Sequence, residues 1–256
     1  MQDLKVTLVQ ANQVWEDKQA NLINYEHILS NTIESDIIIL PEMFHTGFSM
    51  EASEFAETME NSIGLDWLKK ISKEKNSSIY TSLIIEDNGC FYNRGVFVIP
   101  SGEVTVYDKR KRFALAGEDS VFDAGSSRTI VEYKNWKIQL QICYDLRFPE
   151  IARNKLDDHQ NPLYDILIYV ANWPEKRSLH WKTLLTARAI ENQCYTIGVN
   201  RVGEDGKSLV YSGDSIISNA LGVVSFIEPF VEEAKTVTIS KVDLNKIRQD
   251  LPFLKD

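Results

Sequence analysis

Cysteine and histidine are scarce in this chain. Only Cys90, Cys143 and Cys194 occur, far apart and with no C-x-x-C pair, so neither a disulfide framework nor a thiolate metal cage is expected. His27, His45, His159 and His180 show no H-E-x-x-H or other ligand spacing, so no metal is expected. Positive charge is in deficit. With 28 Lys and Arg against 37 Asp and Glu, the net charge of -9 has the wrong sign for a protein that gains affinity by neutralising phosphates. Nucleic acid is therefore not an expected partner. Long hydrophobic runs are missing too: Ile166 to Ala171 is among the longest and is far too short to span a bilayer. The opening MQDLKVTLVQ has no basic segment followed by an apolar stretch. No membrane partner and a cytoplasmic location are the expectations.

No Pro/Gly/Ser linker, repeat or low-complexity tract divides residues 1–256, so a single domain is expected. At 43% hydrophobic and 25% charged, the chain can bury one large core. Leu4 to Gln10 reads as a strand, Lys18 to Ile33 as a helix with apolar residues at Leu22, Tyr25, Leu29 and Ile33, and Asp36 to Leu40 as a short β-branched strand. Further strand-like runs are Ile79 to Ile85, Phe91 to Ile99, Val104 to Tyr107, Lys137 to Ile142, Ile166 to Ala171, Cys194 to Val199, Ser215 to Ser218 and Thr236 to Ser240. Two more helices are predicted at Ile63 to Lys75 and Ser178 to Glu191. Strands interleaved with helical crossovers imply an α/β protein with buried sheets and helices on their outer faces.

Three chemically capable residues follow closely on apolar strands: Glu42 after IIILP, Lys109 after VTVYD and Cys143 after QLQI. Sites in α/β proteins gather where strand ends open into loops, so the shared placement points to one rim. Taken singly, each has a plainer explanation as a solvated carboxylate, a surface lysine or a small buried hydrophobe. The combination carries the argument.

ILPEMF at 39–44, YDKRKRF at 107–113 and ICYDLRFPE at 142–150 resemble the three signature segments of the nitrilase superfamily of carbon-nitrogen hydrolases, in the same order. The stretch from Ala171 to Gly203 resembles the segment that follows the nucleophile in its omega-amidase branch. The resemblance covers nearly the whole chain. It implies an α-β-β-α sandwich, two packed sheets with outer helices, that pairs as a homodimer. It also implies a catalytic triad of Glu42, Lys109 and Cys143, with Glu118 orienting the lysine and no cofactor. Lys111 is the alternative lysine; here Lys111 and Arg112 stand where relatives carry a His and an apolar residue.

These residue types suit amide hydrolysis on chemical grounds. An amide is a poor electrophile with a poor leaving group, so its cleavage needs a strong nucleophile, a cation for the oxyanion and an acid for departing ammonia. Cys143, Lys109 with the Tyr144 backbone N–H, and Glu42 supply them, and the neighbouring cation is expected to favour the thiolate. The omega-amidase resemblance implies 2-oxoglutaramate or 2-oxosuccinamate as substrate. A carboxylate at the far end calls for Arg147 or Arg177, with Phe48 and Trp173 lining the pocket. For Arg147 the plainer alternative is a structural ion pair with Asp145 or Glu150. Competing activities are hydrolysis of an N-carbamoyl amino acid or of a nitrile. From other classes come a noncatalytic binding protein of the same fold, whose signature would be a missing triad residue, and a serine esterase built on Gly213 to Ser215. The last lacks both G-x-S-x-G and a following histidine.

Overall fold

A computed structural model describes residues 3–256. Strands β1 (Leu4–Gln10), β2 (Ile37–Ile39), β3 (Ser78–Asp87), β4 (Cys90–Val98), β5 (Val104–Asp108) and β14 (Glu233–Ile239) form one sheet in the order β14-β1-β2-β3-β4-β5. β1, β2 and β3 run parallel, which requires crossovers. Helix α1 (Lys18–Ser30) provides the first, and α2 (Ala52–Phe55) and α3 (Ile63–Lys75) the second. The second sheet contains β6 (Ile130–Tyr133), β7 (Trp136–Ile142), β8 (Ile166–Ala171), β9 (Tyr195–Asn200), β12 (Ile216–Asn219) and β13 (Gly222–Phe226), ordered β13-β12-β9-β8-β7-β6. Its parallel strands β7, β8 and β9 are joined through α5 (Pro149–Ala152) and α6 (Ser178–Asn192). A separate hairpin pairs β10 (Val202–Glu204) with β11 (Val210–Ser212). Helices α4 (Glu118–Val121) and α7 (Lys241–Asp250) complete the elements.

Alternation decides which face is buried where. Leu4, Val6 and Leu8 of β1 join Ile138, Leu140 and Ile142 of β7 and Ile166, Ile168 and Val170 of β8 in one apolar cluster, so the sheets pack face to face. The opposite face of the first sheet, with Val9, Ile38 and Ile79, covers Leu22, Tyr25 and Leu29 of α1 and Leu65, Leu68 and Ile71 of α3. Asp17 and Ser62 cap these helices by accepting from the Ala20 and Leu65 N–H groups. On the second sheet, α6 lies close because Gly198 has no side chain: a Cβ there would meet Leu185 Cδ1 at 2.3 Å and Trp181 Cζ2 at 2.7 Å. The result is the α-β-β-α sandwich.

Several elements differ from the sequence reading. α1 stops at Ser30, leaving Ile33 70% exposed, because Asn31 takes over the last turn. β14 begins at Glu233, three residues before the expected Thr236, since its first residues pair along the whole of β1 without being buried. β6, β10, β11, β13 and α7 were not foreseen: the first three are short, β13 is an exposed edge, and α7 buries only Leu244 and Ile247.

Candidate active site

The ends of β2, β5 and β7 deliver Glu42, Lys109 and Cys143 to one place. Lys109 Nζ donates to Glu42 Oε1 at 2.9 Å and to both Glu118 oxygens, Oε1 at 2.8 Å and Oε2 at 2.9 Å. All three side chains are buried. Asn93 of β4 holds both carboxylates through Nδ2, 2.7 Å from Glu42 Oε1 and 3.3 Å from Glu118 Oε1. Asn172, just past β8, fixes the other side of Glu42. Its backbone N–H donates to Glu42 Oε2 at 2.8 Å, and its Nδ2 donates to the Glu42 carbonyl at 2.7 Å. The Cys143 thiol points to the Asn172 carbonyl at 3.9 Å.

Cys143 opens a tight helical turn, Cys143–Arg147, with φ of +42°, the left-handed region that costs a side-chain-bearing residue conformational energy. Asp145 holds that turn. Its Oδ2 accepts from the Ile142 N–H at 3.1 Å and the Tyr107 hydroxyl at 2.8 Å, while Oδ1 accepts from the Lys111 N–H at 2.9 Å. The Asp145 carboxylate therefore ties the cysteine turn to the segment carrying Lys109. The Lys111 side chain leaves the cluster: Nζ pairs with Glu150 at 3.3 Å and sits 4.4 Å from the Phe148 ring centre.

A cleft opens over Cys143, walled by Phe48, Tyr144, Arg147, Trp173 and Arg177, with the 205–211 loop at its rim. The Arg147 guanidinium stacks on Trp173 at 4.6 Å and Arg177 on Phe113 at 5.4 Å. The carboxylates flanking Arg147 in sequence are engaged elsewhere, Asp145 as above and Glu150 with Lys111, so the structural ion pair does not form. Ser215 is buried and its hydroxyl accepts from the Asn200 N–H at 3.1 Å. Asp214 beside it pairs with Lys182 at 2.8 Å, a packing arrangement rather than an esterase site.

The family model for carbon-nitrogen hydrolases matches residues 5–250. The chain belongs to the carbon-nitrogen hydrolase family. It is 42% identical to Omega-amidase YafV of Yersinia enterocolitica, covering 100% of this chain and 97% of that one. It is 31% identical to a 2-oxoglutaramate amidase of Bacillus subtilis (strain 168), over 87% of this chain and 85% of the relative. Its fold matches the crystal structure of XC1258 from Xanthomonas campestris, a CN-hydrolase superfamily protein with an arsenic adduct in its active site. There the TM-score is 0.97 and the identity 38%, over 100% of this chain and 97% of that chain.

The electrostatics of this carbon-nitrogen hydrolase differ from the sequence expectation at one point. Burial pushes the Cys143 thiol well above the ordinary cysteine value, and the Glu42 carboxylate adds to that, outweighing the Lys109 ammonium. The resting group is a thiol. Burial works against the Lys109 charge, but Glu118 and Glu42 together hold its pKa above the ordinary lysine value. Burial lowers the Arg147 pKa, and the Arg177 guanidinium, which lines the same cleft, lowers it further. Asn93 and Asn172 were missed in the sequence because each acts through tertiary hydrogen bonds that no local pattern marks, and Asp145, considered there only as a partner for Arg147, instead joins its own turn to Tyr107 and Lys111.

Proposed function

We propose that this protein is an omega-amidase, which releases ammonia from small 2-oxo dicarboxylate monoamides such as 2-oxoglutaramate through a Cys143 thioester. The observation that carries the reading is the pairing of Arg147 and Arg177 beside Cys143. Both guanidiniums line the cleft, Arg177 lies near enough to lower the Arg147 pKa, and neither has a carboxylate within ion-pair distance among the described residues, Arg147 having the His180 ring at 3.3 Å as its hydrogen-bond partner; that arrangement suits an anion from outside. The names of the relatives agree with that substrate class.

Cys143 is the nucleophile, and because its thiol rests protonated, attack on the amide carbon and proton transfer to Glu42 are coupled. The oxyanion is stabilised by the Lys109 ammonium and the Tyr144 N–H. Glu118 and Asn93 keep that ammonium and Glu42 aligned. As the tetrahedral adduct collapses, the C–N bond breaks and Glu42 returns its proton to the nitrogen, releasing ammonia. Water deprotonated by Glu42 then attacks the thioester, the C–S bond breaks, and the acid leaves as Cys143 regains its proton. Phe48, whose ring lies 5.1 Å from Lys109 Nζ, and Trp173 enclose the short carbon chain.

A single hydrolase domain, a cytoplasmic location and a homodimer belong to the same reading. Ile190 of α6 and Val223 and Phe226 of β13 form an exposed apolar surface suited to a second copy, and sedimentation of the purified protein checks it. The activity test is ammonia release across 2-oxoglutaramate, 2-oxosuccinamate, N-carbamoyl amino acids, simple nitriles and an uncharged amide. Preference for the oxo acids of at least about 100-fold over the uncharged amide supports the assignment. Equal turnover removes it.

A further inference from the structure

The loop between β10 and β11 is organised by one buried carboxylate. Asp205 Oδ1 accepts from the Lys207 N–H at 2.8 Å and the Leu209 N–H at 3.0 Å, while Oδ2 accepts from the Tyr211 hydroxyl at 2.8 Å. Two backbone bonds close the turn, from Asp205 N–H to the Leu209 carbonyl and from Ser208 N–H to the Asp205 carbonyl, each 3.0 Å. Below it lies the buried guanidinium of Arg201, 4.8 Å from the Tyr211 ring centre. Its Nη2 donates to the Gln13 and Glu204 carbonyls at 3.0 Å each, tying the hairpin to the segment after β1.

This assembly leans on the substrate end of the cleft. Strand β11 packs against the turn Glu175–Arg177, and the Trp173 indole N–H holds the same turn by donating to the Arg177 carbonyl at 2.9 Å. Asp205, Lys207, Leu209 and Tyr211 all border the cleft. Nothing in the hairpin bonds to Glu42, Lys109 or Cys143.

We propose that Asp205 is a positioning residue for substrate specificity: through Tyr211 and β11 it holds the Arg177 turn at the distance that recognises the substrate carboxylate. The inference rests on the carboxylate-binding reading above. An amide in place of Asp205 can still accept from the two loop N–H groups at Oδ1, but it meets the Tyr211 hydroxyl only as a donor and carries no charge, so the charge-assisted bonds weaken, the Tyr211 bond has to reverse and the hairpin loosens. The Arg177 turn then loses its backing, while the Cys143 turn, held by Asp145, does not.

The test compares wild type, Asp205→Asn and Tyr211→Phe on 2-oxoglutaramate and on an uncharged amide of similar length. In Asp205→Asn the ratio of kcat/KM for the charged over the uncharged amide falls about tenfold, through a rise in KM for the oxo acid. Tyr211→Phe, which removes one of the bonds and is the variant to rely on if Asp205→Asn does not fold, lowers the ratio about threefold. Alkylation of Cys143 by iodoacetamide, which reads the nucleophile alone, stays within about twofold of wild type in both. Unchanged ratios, or a fall in kcat with KM unmoved, overturn the inference while the substrate assignment stands. A wild type with no preference for the charged amide overturns both.

Discussion

Lys109 Nζ lies 2.9 Å from Glu42 Oε1, a residue 67 positions away in sequence, and bonds Glu118 as well. One buried ammonium thus serves two buried carboxylates, and the trio is left with an excess of negative charge next to the Cys143 thiol. That imbalance adds to burial in raising the thiol's pKa.

Removing the ammonium should be severe. Lys109→Ala is expected to lower kcat by at least about 100- to 1000-fold, the cost of one oxyanion donor. It also strands Glu42 and Glu118, costing about 3–5 kcal/mol of stability. Lys111→Ala, which loses a surface pair with Glu150 and a contact with the Phe148 ring, should keep nearly full activity. Steady-state kinetics with thermal unfolding separates the two, and equal losses would leave the lysine unassigned.

Cysteine substitutions should divide by position. Cys143→Ala abolishes turnover. Cys90→Ala, at the half-buried start of β4, and Cys194→Ala, packed under α6, retain most of it, the latter with about 1 kcal/mol lost from the core. Full activity in Cys143→Ala would falsify the nucleophile assignment.

The thiol's protonation gives a pH signature in the free enzyme. The iodoacetamide reaction rate at Cys143 is expected to keep rising with pH beyond the ordinary cysteine range. Glu42→Gln removes a negative neighbour, so the profile moves to lower pH; Lys109→Ala removes a positive one and moves it higher. A profile unaffected by either variant contradicts the geometry.

Below the first sheet's loops, Glu57 accepts from Lys18 Nζ at 2.7 Å, from Ser62 and from the Gly64 N–H at 3.2 Å, and contacts His45 Nε2 at 3.2 Å. Burial opposes its charge, but His45, Lys18 and Ser62 bring its pKa from 4.5 down to about 2. A carboxyl lowered on folding contributes stability above its unfolded value, here on the order of 3 kcal/mol, that disappears as pH falls from 4.5 towards 2. Urea unfolding of wild type should weaken across that window, and Glu57→Gln should flatten the dependence there.

Arg177→Ala and Arg147→Ala should each raise KM for 2-oxoglutaramate by at least about tenfold while sparing an uncharged amide, because only the charged substrate loses a charge-assisted hydrogen bond. Losses equal for both substrates would place the arginines in the scaffold instead.

The sequence by itself determined the layered fold and the candidate trio. Continuous apolar runs such as Ile37–Ile39 and Ile166–Ala171 bury both faces, alternating ones bury one, and Glu42, Lys109 and Cys143 each follow closely on a strand. Local patterns carry that information because strand burial is written at a period of two. Tertiary structure alone decided which lysine enters the site, since Lys109 and Lys111 share one basic run just past β5, and only in the folded chain does Lys109 meet Glu42 and Glu118 while Lys111 pairs with Glu150. It also decided that Asp145 braces the turn rather than pairing with Arg147, and that Asn93 and Asn172 align Glu42. Most of these bonds join segments more than 30 residues apart, and the protonation of Cys143 depends on their sum of burial and charge, which exists only once the two sheets have packed.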